Sequence, residues 1–235
     1  RNYDHKPISF SKEVVDGKIL KIEDTNHDLH YVLEYRITFD AKNFKGTHNA
    51  EGYNHLVLKD SLESSALEYM DPYYMDFTVE DSDRFKPSLR RGVWRSGELR
   101  EENGKKFFHA AIDDEENRGS IFSLREDMEG ENPAVEEEVG LDYGEEGIHS
   151  GEFQIDLEEL GPTEGFELRY FVEIKEIPVN KAMYKNKVRL EGADIKPIEH
   201  TYTVTGADES TEEKAYSIEI KLTDKDSDIP LKGSV

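Results

Sequence analysis

The segment YVLEYRITFD, residues 31 to 40, sets Tyr31, Leu33, Tyr35, Ile37 and Phe39 at alternate positions, with Val32, Glu34, Arg36, Thr38 and Asp40 between them. A period of two residues puts each set on one face of a β-strand, whereas a helix would scatter both sets around its axis. The same pattern recurs in HLVLKDSL (55 to 62), where Leu56, Leu58 and Asp60 share a face, and in GEFQIDLEEL (151 to 160) and FELRYFVEIKEI (166 to 177). HTYTVTG (200 to 206) and AYSIEIKL (215 to 222) continue it. Long helical periodicity is absent, and only SLESSALEY (61 to 69) offers a helical turn or two. The chain is therefore expected to be all-β, an immunoglobulin-like antiparallel β-sandwich.

Residues 1 to 205 read as one sandwich domain, for which 235 residues give ample core-forming material. GADESTEEKA (206 to 215) reads as a polar linker. In residues 216 to 235, Tyr216, Ile218, Ile220 and Leu222 alternate with Ser217, Glu219 and Lys221, as in a further strand that either latches onto a sheet edge or begins another module. From Asp113 to Glu146 the alternation fails, with 14 acidic residues against two basic ones and Gly119, Gly130, Pro133, Gly140 and Gly144 interspersed. That composition predicts a long acidic insertion in the form of a solvated loop. The preceding stretch, 84 to 106, carries eight basic residues against three acidic ones and the single tryptophan. Trp94, Arg91 and Arg95 are accordingly the candidate ligand-binding residues, although a tryptophan packed into a core and a solvated basic face would look the same.

The formal charge of −23 opposes attraction to nucleic acid or an anionic membrane. No stretch approaches the roughly 20 apolar residues of a membrane span, and the Arg1 start without an apolar leader reads as a mature or trimmed chain. With no cysteine there is no disulfide, no thiolate nucleophile and no cysteine-bearing zinc site. His27, His30, His48 and His55 fit no standard zinc spacing and read as surface or turn residues. The acidic run IDDEEN (112 to 117) and the DKDSD of the tail have oxygen ligands for calcium, but solvated loops and a plain turn explain them equally, so no metal or cofactor is assigned. Carboxylates are abundant enough for a glycosidase pair, but sequence places no two of them across a cleft. No phosphate-binding glycine loop or serine nucleophile motif is present, and the chain does not read as an enzyme.

Three polar residues fall on the apolar side of their strands. In AMYKNKVRLEG (182 to 192), Lys185, Lys187 and Arg189 take one face, which leaves Asn186 inward with Tyr184, Val188 and Leu190. Lys12 shares a face with Phe10 and Val14, and Asp60 with Leu56 and Leu58. Burial disfavours the charged form of an amine and of an acid alike. A neutral amine, a carboxylic acid and a carboxamide together are the groups of a self-formed isopeptide bond, in which Lys12 attacks the Asn186 side-chain carbonyl while Asp60 hydrogen-bonds its oxygen and shuttles protons. The plain alternative is that Lys12 snorkels to the rim, Asp60 caps the turn at DSLES, and Asn186 bonds a neighbouring backbone.

SKEVVDGK, HDLHYVLEYRITFDAKNFKG, HLVLKDSLESSALEY and YKNKVRLEG resemble, in that order, the second adhesive subdomain of the collagen-adhesin type of Gram-positive surface proteins. The resemblance covers about residues 8 to 60 and 165 to 205. It implies an isopeptide between a first-strand lysine and a last-strand asparagine, assisted by the aspartate of a motif like ITIKD, and so assigns Lys12, Asn186 and, through LVLKD, Asp60. IEIKLTDKDSDIPLKGSV (218 to 235) resembles the first strand and turn of the B-type stalk repeat of the same proteins, with Lys221 at the place of that module's own crosslinking lysine. The stretch between Asp60 and Asn186 is longer than the resemblance implies, and collagen specificity is not carried over. The reading is an extracellular adhesin domain, monomeric, anchored to the cell wall through a C-terminal region, whose partner is an extracellular matrix protein, glycoprotein or glycan. A stalk or pilus-like domain with no ligand of its own is the alternative.

Overall fold

The computed structural model describes residues 10–41, 53–71, 76–103, 105–110, 120–123, 135–162, 164–206 and 208. Among the described residues thirteen strands are formed, β1 (Phe10–Val14), β2 (Leu20–Glu23), β3 (Leu29–Asp40), β4 (Tyr53–Leu62), β5 (Leu67–Tyr69), β6 (Ser88–Glu102), β7 (Lys105–Ala110), β8 (Ser120–Ser123), β9 (Val135–Glu138), β10 (Glu152–Leu160), β11 (Gly165–Ile174), β12 (Met183–Glu191) and β13 (Ile198–Thr203). A short α-helix, α1 (Val79–Arg84), separates β5 from β6. The first sheet runs β1-β3-β11-β6-β7, with β2 also on β3, β5 on β11, and β8 and β9 on β6. The second runs β10-β4-β12-β13. Every pairing between these strands is antiparallel.

The alternation in residues 31 to 40 does what a period of two requires, since Leu33, Tyr35, Ile37 and Phe39 are wholly buried between the sheets. They meet Phe166, Leu168, Tyr170 and Val172 of β11 and, from the second sheet, Leu56, Leu58, Phe153, Ile155, Tyr184 and Val188. The outer face of β3 and β11 is covered as well. Val32 and Phe171 pack there with Ile22, Met70 and Phe85, and Phe85, at the C-terminus of α1, stands edge-on to the ring of Phe171 with centroids 5.3 Å apart. Thr78 caps the helix by accepting from the Asp81 amide.

Two local devices shape the edges near the buried polar residues. β1 and β2 both pair with β3, at its Tyr35–Phe39 and Leu29–Val32 ends, and the turn between them holds Asp16 and Gly17 at φ 59° and 62°. Past the end of β12, Gly192 sits at φ 93°, where a Cβ would meet the His55 carbonyl oxygen at 2.0 Å. The glycine that closes AMYKNKVRLEG is therefore required by close backbone approach.

Several expectations are corrected. SLESSALEY forms no helix; it ends β4, turns, and supplies β5. The basic stretch is the long strand β6, whose first part lies between β11 and β9 and whose remainder pairs with β7 and β8. The acid-rich stretch is not simply a solvated loop, because β8 and β9 come from it and pair with β6. Val139, Leu141 and Tyr143, farther along the same stretch, pack against the core. Residues 113–119 and 124–134, most of the 206–215 linker, and the tail with Lys221 lie outside the described residues.

A buried lysine, aspartate and asparagine between the sheets

β1 brings Lys12 inward from the first sheet, while β4 and β12, paired with Val188 opposite Asp60, bring Asp60 and Asn186 inward from the second. The side chains of Lys12 and Asp60 are fully buried, and Asn186 is wholly inaccessible. The structure thus unites all three residues singled out by strand parity. Lys12 Nζ donates to Asp60 Oδ2 and, at 2.8 Å, to the Tyr170 hydroxyl. The Tyr170 hydroxyl donates to the same Asp60 oxygen at 2.7 Å and accepts from Asn186 Nδ2 at 3.0 Å. Tyr69 donates to Asp60 Oδ1 at 2.8 Å. Asn186 Oδ1 is buried and has no hydrogen-bond partner among the described residues.

This geometry removes the plain alternative. Lys12 does not reach the rim, Asp60 is held by Lys12, Tyr69 and Tyr170 rather than by a turn, and Asn186 bonds a phenol rather than a backbone. An orphaned buried carbonyl costs about 1–3 kcal/mol, so the amide is not explained as a satisfied core residue. Asn186 stands on β12, and β13 follows it in the chain, whereas the family resemblance implied a last-strand asparagine. Asp60 also makes no direct bond to Asn186; the link runs through Tyr170.

The surroundings are aromatic. The rings of Tyr35 and Tyr170 stack at 5.6 Å, Phe153 stands edge-on to Tyr170 at 5.1 Å, and Lys12 Nζ lies 4.9 Å from the centre of the Tyr35 ring. Burial pulls the Lys12 amine down to about 8, against the attraction of Asp60. Burial, with Asp60 adding to it, raises the Tyr170 phenol well above its ordinary value, so it keeps its proton. Strand parity could not have found Tyr69 and Tyr170 as polar partners, because their rings belong to the apolar pattern and only the hydroxyl positions reveal the role.

The other candidates fare differently. Arg91 Nη1 donates to the Leu157 carbonyl at 2.7 Å and so ties β6 to β10. The side chains of Trp94 and Arg95, and His48, lie outside the described residues. His27 is exposed beside Glu23, and His55 is exposed 3.3 Å from Asp156. His30 is neither a surface nor a turn residue: it lies on β3, largely covered, bonded at 2.9 Å to Asp24 and at 2.7 Å to Glu173. A cavity of about 680 Å³ beside Tyr69 is lined by Asp24, His30, Asp76, His149 and Lys175 among others. Its polar side chains are largely engaged with one another and with neighbours, and no three metal-binding side chains among the described residues converge on a point.

Fold and site define an all-β sandwich with a hydrogen-bonded amine, carboxyl and carboxamide sealed between its sheets. Its structural neighbours include adhesin and pilin domains of Gram-positive bacteria. A collagen-binding domain from a Staphylococcus aureus adhesin matches over 85% of this chain and 99% of its own, at 8% identity and a TM-score of 0.39. ACE19, the collagen-binding subdomain of the Enterococcus faecalis surface protein ACE, matches over 80% and 96%, at 9% identity and 0.34. The RrgA Jo.In complex matches over 83% and 75%, at 13% identity and 0.37. No family model and no curated protein sequence matches the chain. Likeness at these values carries no functional argument, and the reading that follows rests on the buried cluster.

Proposed function

We propose that the chain is an extracellular adhesin domain of a Gram-positive surface protein, crosslinked once, without turnover, by an isopeptide bond between Lys12 and Asn186. The carrying observation is that Lys12, Asp60 and Asn186, from two sheets, share one buried hydrogen-bonded cluster in which the asparagine carbonyl oxygen is unpaired. Lys12 passes a proton to Asp60, its neutral amine attacks Asn186 Cγ, and the Cγ–Nδ2 bond breaks with loss of ammonia. The low-dielectric aromatic shell favours the neutral amine and keeps out competing water. By this reading the domain spans 1 to 205, the polar segment and tail lead to a stalk module and cell-wall anchor, and the domain is a monomer. Its partner is an extracellular matrix protein, glycoprotein or glycan, met by the β6 region around Trp94 and Arg95.

Intact mass spectrometry tests the bond. The protein should be one ammonia lighter than its sequence, and a digest should give a branched peptide joining the segments of Lys12 and Asn186. Lys12→Ala and Asn186→Ala should each restore the full mass. An unmodified mass in freshly purified wild type rejects the crosslink. A screen against matrix proteins and glycans tests the second half: saturable binding lost in Trp94→Ala supports the adhesin, and uniformly negative binding favours a stalk domain.

A further inference from the structure

In the proposed crosslinking reaction a proton must reach Asn186 Nδ2 before ammonia can leave, and Asp60 has no direct contact with that nitrogen. The Tyr170 hydroxyl touches all three reacting groups, at 2.8 Å from Lys12 Nζ, 2.7 Å from Asp60 Oδ2 and 3.0 Å from Asn186 Nδ2. We infer that Tyr170 is a fourth catalytic residue of the self-crosslinking reaction, relaying a proton from Asp60 to the departing nitrogen of Asn186. The inference rests on the isopeptide reading and extends it.

The protons balance. Lys12 as an ammonium gives one proton to the Asp60 carboxylate, and the resulting amine forms the new bond to Cγ while the carbonyl electron pair moves to Oδ1. Tyr170 gives its hydroxyl proton to Nδ2 and takes the one held by Asp60, so the phenol is regenerated. The Cγ–Nδ2 bond breaks, the carbonyl reforms, and ammonia departs. Lys12 Nζ then loses its surplus proton to Asp60, which ends as the neutral acid. The cluster carries no net charge at the beginning or the end, as a dry site requires.

Its reach fits Tyr170 for this and not Tyr69. Tyr69 reaches only Asp60 Oδ1 within the cluster and touches neither nitrogen. Tyr170 is held in place by the stacked ring of Tyr35 and the edge of Phe153, so its oxygen is fixed between donor and acceptor. Burial keeps its phenol protonated, which a relay needs, because a phenolate would have nothing to give. The groups that face it are Lys12 from β1, Tyr35 from β3, Asp60 from β4, Tyr69 from β5 and Asn186 from β12, with His200 of β13 opposite Asn186 and edge-on to Tyr35.

The test follows ammonia loss by mass in chain that has never folded, made as insoluble protein, dissolved in denaturant and confirmed at its full sequence mass before it is first folded, so that the bond starts unformed. Tyr170→Phe keeps the ring and removes the relay, and should slow crosslinking by about 100-fold or more, the usual worth of a positioned acid or base. Tyr69→Phe should leave the rate within a few-fold of wild type. A fluorinated tyrosine at position 170, which preserves shape and makes the phenol more acidic, should move the pH dependence of the rate to lower pH, and it decides the matter should Tyr170→Phe not fold. Crosslinking of Tyr170→Phe at the wild-type rate, or a pH profile unmoved by fluorination, overturns the relay. A wild type that never loses ammonia overturns the isopeptide reading itself, and the relay with it.

Discussion

A lysine amine in water holds its proton to about pH 10.5; at Lys12 burial brings this down to about 8, even though Asp60 pulls the other way. Only the neutral amine has a lone pair for the Asn186 carbonyl, and in the cluster it forms by passing its proton to Asp60, which must hold that proton for the departing nitrogen. The expected outcome is a crosslinking rate that is level between pH 6 and 7 and falls as pH rises through about 8, where the pair loses its shared proton to water, read as ammonia loss when never-folded wild type is first folded. A rate that climbs over that range to a plateau above pH 8 would show that the amine reacts without a proton from Asp60. The inward placement of Lys12, Asp60 and Asn186 was legible from parity alone, since each sits at an even spacing from apolar neighbours on its strand. The phenols that connect them were not, because a tyrosine in an apolar pattern reads as packing.

At the level of the strand, the sequence was most readable where one face is buried and the other wet. β10 and β12 alternate buried and exposed residues almost without exception, and both were seen in advance. β3 and β11 are buried on both faces where Met70 and Phe85 pack over Val32 and Phe171, yet the alternation of their residues still marked them as strands. The acid-rich stretch misled for a physical reason. β9 carries Glu136, Glu137 and Glu138 and pairs with Ser88, Leu89 and Arg90 of a basic strand, so the pairing supplies what local hydrophobicity does not. Past it, Tyr143 places its ring 5.5 Å from that of Tyr69, and Leu141 packs against the core. Leu141→Ala and Tyr143→Ala should each lower unfolding free energy by about 1–3 kcal/mol in denaturant titrations. Replacement of the exposed Glu145 by Gln should change it little. Three indistinguishable variants would return the segment to a solvated loop.

For the whole molecule, the proposed bond joins the first strand of one sheet to β12 of the other, with β2 to β11 enclosed between the linked residues. Such a link restricts the unfolded chain far more than the folded one. A covalent loop of this length stabilises by about 5 kcal/mol on the chain-entropy scale established for disulfides. For a domain of this size each kcal/mol moves the midpoint by about 2–4 °C, so loss of the link should lower it by about 10–20 °C. Asn186→Ala is the suitable comparison, because it leaves Lys12 paired with Asp60 and removes only the electrophile, whereas Asp60→Ala would strand a buried amine. Truncating the side chain has its own cost, which wild type folded from never-folded chain and scanned before it crosslinks measures separately. Calorimetry of the linked wild type, the unlinked wild type and Asn186→Ala should therefore show one high transition and two low ones close together. Should all three melt within a few degrees, the sandwich is held by its aromatic core alone and the link has no part in its stability.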